Sequence, residues 1–337
     1  MIGAQQSSRI GELDGLRGIA ALAVVLFHYT VKAPEMVPGL QTAGLGFVPG
    51  MYGVHLFFAI SGFVIFMTLE RTRRPLDFVV SRFARLFPTY WAAILATCAI
   101  IAALGPALLA QPAPVIAINL TMLQGFLYLP SVDGAYWSLG VELAFYGCML
   151  GLWRAGLLCR IETVLCLWIA LKLVWWSLPF LPSRIELLLV LRYIPFFAIG
   201  IAAYRVWAGE RRWREQLPAL LTALLAAKIA DGWIDGLVAL ACTILFALLA
   251  ERRLSWLGHP GLLWLGALSY PLYLVHQNIG YAVMQQVEAQ GGAPALATGA
   301  ALFAVFLLAL AIHKAIEQPS LAAIRGAWRR SAVRSPD

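Results

Sequence analysis

Residues 12–29 read ELDGLRGIAALAVVLFHY, an apolar segment with charged residues at one end and a histidine at the other. Arg17 lies eleven residues before His28, and at 100° per residue this spacing returns to within about 20° of the same helix face. Asp14 lies about 40° to the other side. The three side chains therefore share one face of one helix. Because ionisable groups are costly in lipid, we expect this face to line a protein interior or a water-filled cavity.

The chain as a whole is strongly apolar. Of its 337 residues, 61% are hydrophobic and 12% are charged, and its mean hydropathy is +0.79. Soluble proteins carry about 25% charged residues, so the composition predicts an all-α, polytopic membrane protein. We expect one membrane domain over residues 1–316, without an appended catalytic module, and a basic cytoplasmic tail over 317–337. The end of this tail, IRGAWRRSAVRSPD, is expected to be loose and to contact anionic lipids.

Apolar stretches of sufficient length predict about ten transmembrane helices around a polar intramembrane pocket. The predicted spans are 12–31, 50–69, 87–105, 134–153, 161–179, 186–207, 217–231, 233–250, 261–284 and 295–314. Segment 113–130 is also apolar, but counting it as a span would invert every later loop. We therefore expect it to be re-entrant or interfacial.

The distribution of basic residues sets the orientation. With the N-terminus inside, the inner loops hold most of the 25 basic residues, from Arg9 to Arg334, whereas the outer loops hold Lys32 and Arg184. This asymmetry predicts that both termini are cytoplasmic. The net charge of +8 is then a membrane-orientation signal, and we expect no nucleic-acid partner.

Five sequence stretches carry a family resemblance. They are ELDGLRGIAALAVVLFHY (12–29), GVHLFFAISGFVIF (53–66), SRFARLFPTYW (81–91), YWSLGVELAFYG (136–147) and LGALSYPLYLVHQNIG (265–280). In content and order they resemble the motifs of the acyltransferase 3 family of integral membrane acyltransferases. The resemblance implies O-acylation, often O-acetylation, with a cytoplasmic acyl-CoA as co-substrate and a surface polysaccharide or glycolipid hydroxyl as acceptor. A bacterial inner membrane is the expected location.

From the residues alone, a catalytic base and a buried neutral histidine bonded to a helix carbonyl are equally favoured for His28. The resemblance makes His28 the leading catalytic candidate, because the family's essential histidine stands at this position. Histidine, with an unperturbed pKa of about 6.5, can take the acceptor's hydroxyl proton near neutral pH. Glu142 is expected to orient or charge the His28 ring or to bind acceptor hydroxyls; a structural ion pair with Arg192 is the alternative. Many family members have a second acidic residue where this chain has Leu143. Direct transfer and transfer through an acyl-histidine both remain open.

Polar groups from five spans are predicted to meet at similar depth in the outer third of the membrane. They are His28, His55, Glu142, Arg192 and His276. For His276, acceptor binding and packing beside a proline-disturbed helix are equally favoured. We expect His55 to be structural, and Ser61 to belong to a Ser-Gly pair that permits close helix approach.

Arginines at the cytoplasmic side are candidates for donor binding. Arg82 and Arg85 would share a face if their segment is helical, and Arg17 lies about 16 Å from His28 along the helix axis. That distance is comparable with the reach of a pantetheine arm, so the three are expected to hold coenzyme A phosphates. Asp14 is expected to pair structurally with Arg17.

The competing functional class is a transporter or flippase, since intramembrane charges also line transport pathways. Against it, the sequence offers no pair of interrupted helices in corresponding halves. A membrane scaffold would need no His–Glu–Arg set. The five histidines lack the spacing of metal ligands, so we expect no catalytic metal. Expected partners are the lipid bilayer and a glycan or glycolipid acceptor; the sequence indicates no protein partner.

Overall fold

The chain folds into a bundle of helices. The computed structural model describes residues 10–44, 46–178 and 182–334, with side chains described as far as residue 331, and these residues contain no strand. Its longer helices are α1 (Gly11–Phe27), α2 (Gly53–Glu70), α3 (Pro75–Leu104), α4 (Trp137–Arg154), α5 (Ile161–Ser177), α6 (Ile194–Trp207), α7 (Trp213–Ala226), α8 (Trp233–Ala250), α9 (Pro260–Val275), α10 (Gln277–Ala289), α11 (Pro294–Ile312) and α12 (Gln318–Arg334).

Several helical stretches are long and apolar enough to cross a membrane. In the described part of the chain these are Gly11–Met36, Val48–Glu70, Pro75–Leu104, Trp233–Ala250 and Pro294–Ser331, with Ile194–Trp207 and Pro260–Val275 as shorter apolar helices. The predicted all-helical membrane class is confirmed. The number of ten spans stays a prediction, although helices α4, α5 and α7 occupy three further predicted segments. Arg9 and residue 179, the end of one predicted span, lie outside the described residues.

Helix α3 begins twelve residues before the predicted span 87–105. It starts with Pro75 in its first turn and Asp77 beside the helix N-terminus, both favourable there. Its 30 residues measure about 45 Å, more than the ~30 Å hydrocarbon core. The basic segment is therefore helical, and Arg82 and Arg85 lie on adjacent turns of one face.

Segment 113–130 contains one short α-helix, Ala113–Asn119, followed by turns and a 3₁₀ turn at Gln124–Leu127. A helix of seven residues measures about 10 Å, which is too short to cross the hydrocarbon core. This geometry agrees with a segment that does not span the membrane.

The predicted span 261–284 is interrupted. Helix α9 ends at Val275, α10 begins at Gln277, and His276 lies at the junction. Pro271 lies inside α9 and lacks the N–H that would close a helical hydrogen bond. Helix α1 packs along α9, so the two helices that carry His28 and His276 are neighbours.

Helices α2 and α6 approach each other at their backbones. A Cβ on Gly62 would collide with the carbonyl oxygen of Phe197, and one on Gly200 with that of Ala59. The Ser61–Gly62 pair therefore does permit close helix approach, as predicted for this dipeptide.

The expectation of a loose C-terminal tail is wrong for the described part. Helix α11 continues through a π-helical turn at His313–Glu317 into α12, which packs on α3. Trp328 Nε1 donates to Asp77 Oδ1 at 2.7 Å, which fixes α12 to the start of α3. Composition alone predicted flexibility because it does not register this tertiary contact. Residues 335–337 lie outside the described residues.

Candidate active site

His28 and His276 form a hydrogen-bonded pair where α1 ends and α9 meets α10. His276 Nε2 lies 3.1 Å from His28 Nδ1, and the ring centroids are 4.8 Å apart at an interplanar angle of 70°. His276 is fully buried, whereas His28 is half-buried. The structure thus brings together two sequence candidates that are 248 residues apart.

The hydrogen bonds of the pair determine its tautomers when both rings are neutral. His28 Nδ1 lies 2.9 Å from the Val24 carbonyl oxygen, and His276 Nδ1 lies 2.8 Å from the Tyr273 carbonyl oxygen. A carbonyl oxygen only accepts, so both Nδ1 atoms carry the hydrogen. The single hydrogen on His28 Nδ1 is then shared between two acceptors, the Val24 carbonyl oxygen and His276 Nε2, in a bifurcated hydrogen bond. The arrangement leaves His28 Nε2 with its lone pair and makes it the basic atom of the pair.

The backbone around the pair is braced by Tyr29. The side chain of Tyr29, which follows His28 in a π-helical turn, donates to the His276 carbonyl oxygen at 2.6 Å. A Cβ on Gly280 would collide with the Tyr29 hydroxyl, so only glycine leaves room for this contact. π-Helical turns recur at functional sites.

A second brace comes from the loop before α4. The fully buried Asp133 carboxylate accepts from the backbone N–H groups of Asn278 and Ala135, each at 2.9 Å. Asn278 Nδ2 donates in turn to the Val132 carbonyl oxygen at 2.9 Å. These bonds fix the first turn of α10, directly after His276.

A narrow cavity of about 90 Å³ lies between α1, α2, α3, α4 and α9, with room for several water molecules. Its polar lining comprises three arginines, one carboxylate and several hydroxyl groups. These residues are Arg17, Ser61, Arg82, Arg85, Ser138, Glu142, Tyr146, Ser269, Tyr270 and Tyr273.

Tyr273 connects the cavity with the histidine pair. Its ring lines the cavity and lies 5.6 Å, centroid to centroid, from the His276 ring. Its hydroxyl lies 2.7 Å from Ser138 Oγ and 3.0 Å from the Ala135 carbonyl oxygen. Neither histidine lines the cavity; the Tyr273 side chain lies between the cavity and the His276 ring.

Glu142 is held away from the histidine pair. Its Oε1 accepts from Ser61 Oγ at 3.0 Å and from the Tyr146 hydroxyl at 2.5 Å, and its side chain faces the cavity. The orienting position beside His28 that we expected for Glu142 is occupied by His276. The alternative ion pair between the described residues Glu142 and Arg192 is also not formed: Glu142 bonds to Ser61 and Tyr146, and the Arg192 guanidinium lies over the Tyr193 ring, 5.6 Å from its centroid.

Of the five polar groups that were predicted to share a pocket, His28 and His276 meet, whereas His55, Glu142 and Arg192 lie elsewhere. His55 Nε2 lies 3.5 Å from Asp235 Oδ1, and its ring packs against the rings of Tyr52, Tyr193 and Phe196. This environment is that of a packed helix interface, which agrees with a structural role. Similar depth along the membrane normal did not place His55 or Arg192 beside His28.

Arginines gather at the other end of the cavity. The Arg82 guanidinium lies 5.8 Å from the Phe78 ring centroid, and Arg85 Nη1 donates to Glu317 Oε1 at 2.7 Å. Arg17 lines the same cavity, and Asp14 lies within its electrostatic range. The structure therefore brings the three predicted donor-binding residues to one place.

Sequence reasoning missed the residues that support this site. Tyr29 and Tyr273 were not singled out, although each lies next to or three residues from a candidate histidine. For Asp133 the sequence did contain a signal, because it is a lone acidic residue in an otherwise apolar and turn-rich stretch. Among the described residues, no group of three histidine, cysteine or acidic side chains is arranged to hold a metal ion.

Comparisons with known proteins give a consistent assignment. A family model described as an acyltransferase domain matches residues 10–314. The chain is 28% identical over 320 residues to the exopolysaccharide production protein ExoZ of Rhizobium meliloti (strain 1021), which covers 86% of this chain and 95% of the relative. It is 40% identical over 83 residues to protein 2 in the picA locus of Rhizobium radiobacter, which covers 23% of this chain and 38% of that protein. No solved structure matches the chain.

Proposed function

This chain belongs to the acyltransferase 3 family and is an acyltransferase, and we propose that it transfers an acyl group, acetyl in the simplest case, from cytoplasmic acyl-CoA to a polysaccharide hydroxyl. The family membership favours an enzyme over the transporter that the intramembrane charges alone would also permit. The observation that carries the proposed mechanism is the hydrogen-bonded pair of His28 and His276.

His28 acts as the general base. Its Nε2 takes the hydroxyl proton of the acceptor as the acceptor oxygen bonds to the acyl carbonyl carbon. The carbon–sulfur bond breaks, and the same proton passes to the departing thiolate. His276 accepts from His28 Nδ1–H throughout, which holds the ring with Nε2 toward the acceptor and stabilises the imidazolium that forms. An acyl-histidine route would use the same free nitrogen.

The cytoplasmic arginines are suited to the donor. A bound acyl-CoA supplies an activated thioester at one end of a long arm and negatively charged phosphates at the other end. Arg17, Arg82 and Arg85 offer planar guanidinium donors that match phosphate oxygens. The Nε atom of Arg82 is buried without a hydrogen-bond partner, which fits a site for an oxyanion.

The acceptor class follows from the relative that aligns along almost its whole length. That protein bears the name of an exopolysaccharide production protein. We therefore expect a sugar hydroxyl, free or lipid-linked, to reach His28 from the outer side. The cytoplasmic placement of both termini, in a bacterial inner membrane, is supported by the concentration of basic residues in the predicted inner loops.

The decisive assay uses purified protein in lipid nanodiscs with ¹⁴C-acetyl-CoA and an exopolysaccharide fragment. We expect label on the glycan from the wild type and a loss of about 10²–10⁴-fold in rate for His28→Ala, the usual contribution of a general base. His259→Ala is the matched control, because His259 is exposed and its ring only caps the start of α9.

Thermal unfolding of each variant checks that the fold is retained. Undiminished transfer by folded His28→Ala would exclude the proposed base. If the wild type transfers no label from any acyl-CoA to any envelope glycan, the proposed donor and acceptor are excluded.

A further inference from the structure

The C-terminal helix adds a fourth arginine to the cytoplasmic end of the site. Arg325 Nη2 of α12 donates to Ser81 Oγ at 3.4 Å, and Arg82 Nη2 donates to the same oxygen at 3.2 Å. Two guanidiniums therefore share one hydroxyl. Arg325 is half-buried, and it lies within electrostatic range of Arg82, Arg85 and Arg329.

The arginine cluster of Arg82, Arg85 and Arg325 carries more positive charge than the carboxylates that contact it supply in negative charge. Glu317 is 1% exposed; one of its oxygens accepts from Arg85, and the other lies 2.6 Å from His313 Nδ1. Nearby Asp77 accepts from Trp328. In the described parts of the chain, no carboxylate is hydrogen-bonded to Arg82 or Arg325. Guanidiniums held this close repel each other unless an anion lies between them.

We propose that Arg325 is part of the donor site and that, with Arg82 and Arg85, it binds phosphate oxygens of the acyl-CoA at the cytoplasmic mouth of the cavity. The inference rests on the proposed function, which supplies the coenzyme A donor. Arg82 and Arg85 line the cavity, whereas Arg325 stands outside it, beyond Ser81. Arg325 is therefore placed for a phosphate remote from the thioester.

The anchoring of α12 supports this assignment. A helix that only contacted lipid headgroups would need no fixed position relative to α3, yet Trp328 bonds to Asp77 and Arg325 faces Ser81. Arg330 lies about 140° around the helix from Arg325 and is exposed. One helix thus offers a test residue and a matched control.

Binding of coenzyme A is measured by calorimetry on the full chain in nanodiscs of phosphatidylcholine alone. We expect Arg325→Gln to weaken coenzyme A binding by about five- to tenfold, which lies between the loss for an exposed ion pair and the loss for a buried charged hydrogen bond because the site is partly exposed. Arg330→Gln should stay within about twofold of the wild type. Pantetheine, which has no phosphate, should bind to both variants with equal affinity.

The possible outcomes separate a coenzyme A phosphate from a lipid phosphate and from a general effect of surface charge. An unchanged coenzyme A affinity in Arg325→Gln overturns the inference, and so does an equal loss in Arg330→Gln, which would indicate a general surface-charge effect. If Arg325 holds a lipid phosphate instead, the Arg325→Gln protein extracted from bacterial membranes will co-purify with less phosphatidylglycerol than the wild type and will bind coenzyme A normally, which also overturns the inference. Should Arg325→Gln not fold, Arg325→Met, which also removes the charge, takes its place, and wild-type affinity in that variant is the contradicting result. Failure of the wild type to bind coenzyme A would refute the proposed donor itself.

Discussion

Replacement of His276 by phenylalanine tests how the ring of His28, the proposed base, is held. His276 is fully buried and supplies the nitrogen that accepts from His28 Nδ1–H at 3.1 Å. Phenylalanine keeps an aromatic ring in the space and removes this acceptor. His28 then retains one hydrogen bond, to the Val24 carbonyl oxygen, and its imidazolium loses a stabilising neighbour.

The magnitude follows from one buried hydrogen bond. Loss of a partner in a buried site costs about 1–3 kcal/mol, and each 1.36 kcal/mol corresponds to a tenfold change in rate. We therefore expect kcat to fall by about 5- to 150-fold. That loss is smaller than the loss expected for His28→Ala, because the base itself remains.

Initial rates of labelled acetyl transfer, with each substrate varied in turn, provide the assay. The KM values for both substrates should stay near those of the wild type, and His276→Gln, which offers an acceptor oxygen, should recover part of the rate. An unchanged kcat in folded His276→Phe would refute the reasoning. A raised KM for the acceptor at unchanged kcat would assign His276 to acceptor binding instead.

Three further substitutions give separate tests. Gly280→Ala should displace the Tyr29 hydroxyl, which the new Cβ would touch, and should lower kcat. Gly299→Ala is the control, because its Cβ meets open space and the transfer rate should stay unchanged. Equal rates in the two variants would show that the Tyr29 contact does not support the site. Glu142→Gln should raise the KM for acyl-CoA or acceptor more than it lowers kcat, since Glu142 faces the cavity and not the histidine pair; a kcat loss as large as that of His28→Ala would restore Glu142 as the partner of His28. Arg205→Ala should lower stability by about 3–5 kcal/mol, because Arg205 is 7% exposed and binds three carboxylates; a melting temperature equal to that of the wild type would contradict this.

The relations between residues within one helix could be predicted from the sequence. Helical periodicity placed Arg17 and His28 on one face, and in the structure the helix Gly11–Phe27 continues into the π-helical turn that begins at His28. The spacing of Arg82 and Arg85 predicted a shared face, and α3 provides it. These relations are local, because each pair lies within one helix and 100° per residue suffices to relate its members.

The partnership of the two histidines could not be predicted in the same way. Depth along the membrane normal orders residues in one dimension, so it placed His55, Glu142 and Arg192 beside His28 as readily as His276. The rotation of each helix about its own axis and its choice of neighbours decide the contact. Here α1 packs on α9, and the break at His276 turns that ring toward α1. Neither feature is a local property of the sequence.

The most direct measurement is the ¹⁵N spectrum of the histidine side chains in the full-length protein in lipid, with the His28→Gln variant used to assign the signals. The account predicts that neutral His28 carries its hydrogen on Nδ1 and has an unprotonated Nε2. A His28 ring protonated on Nε2, with a bare Nδ1, would contradict it, because the atom that faces the acceptor could then not take its proton.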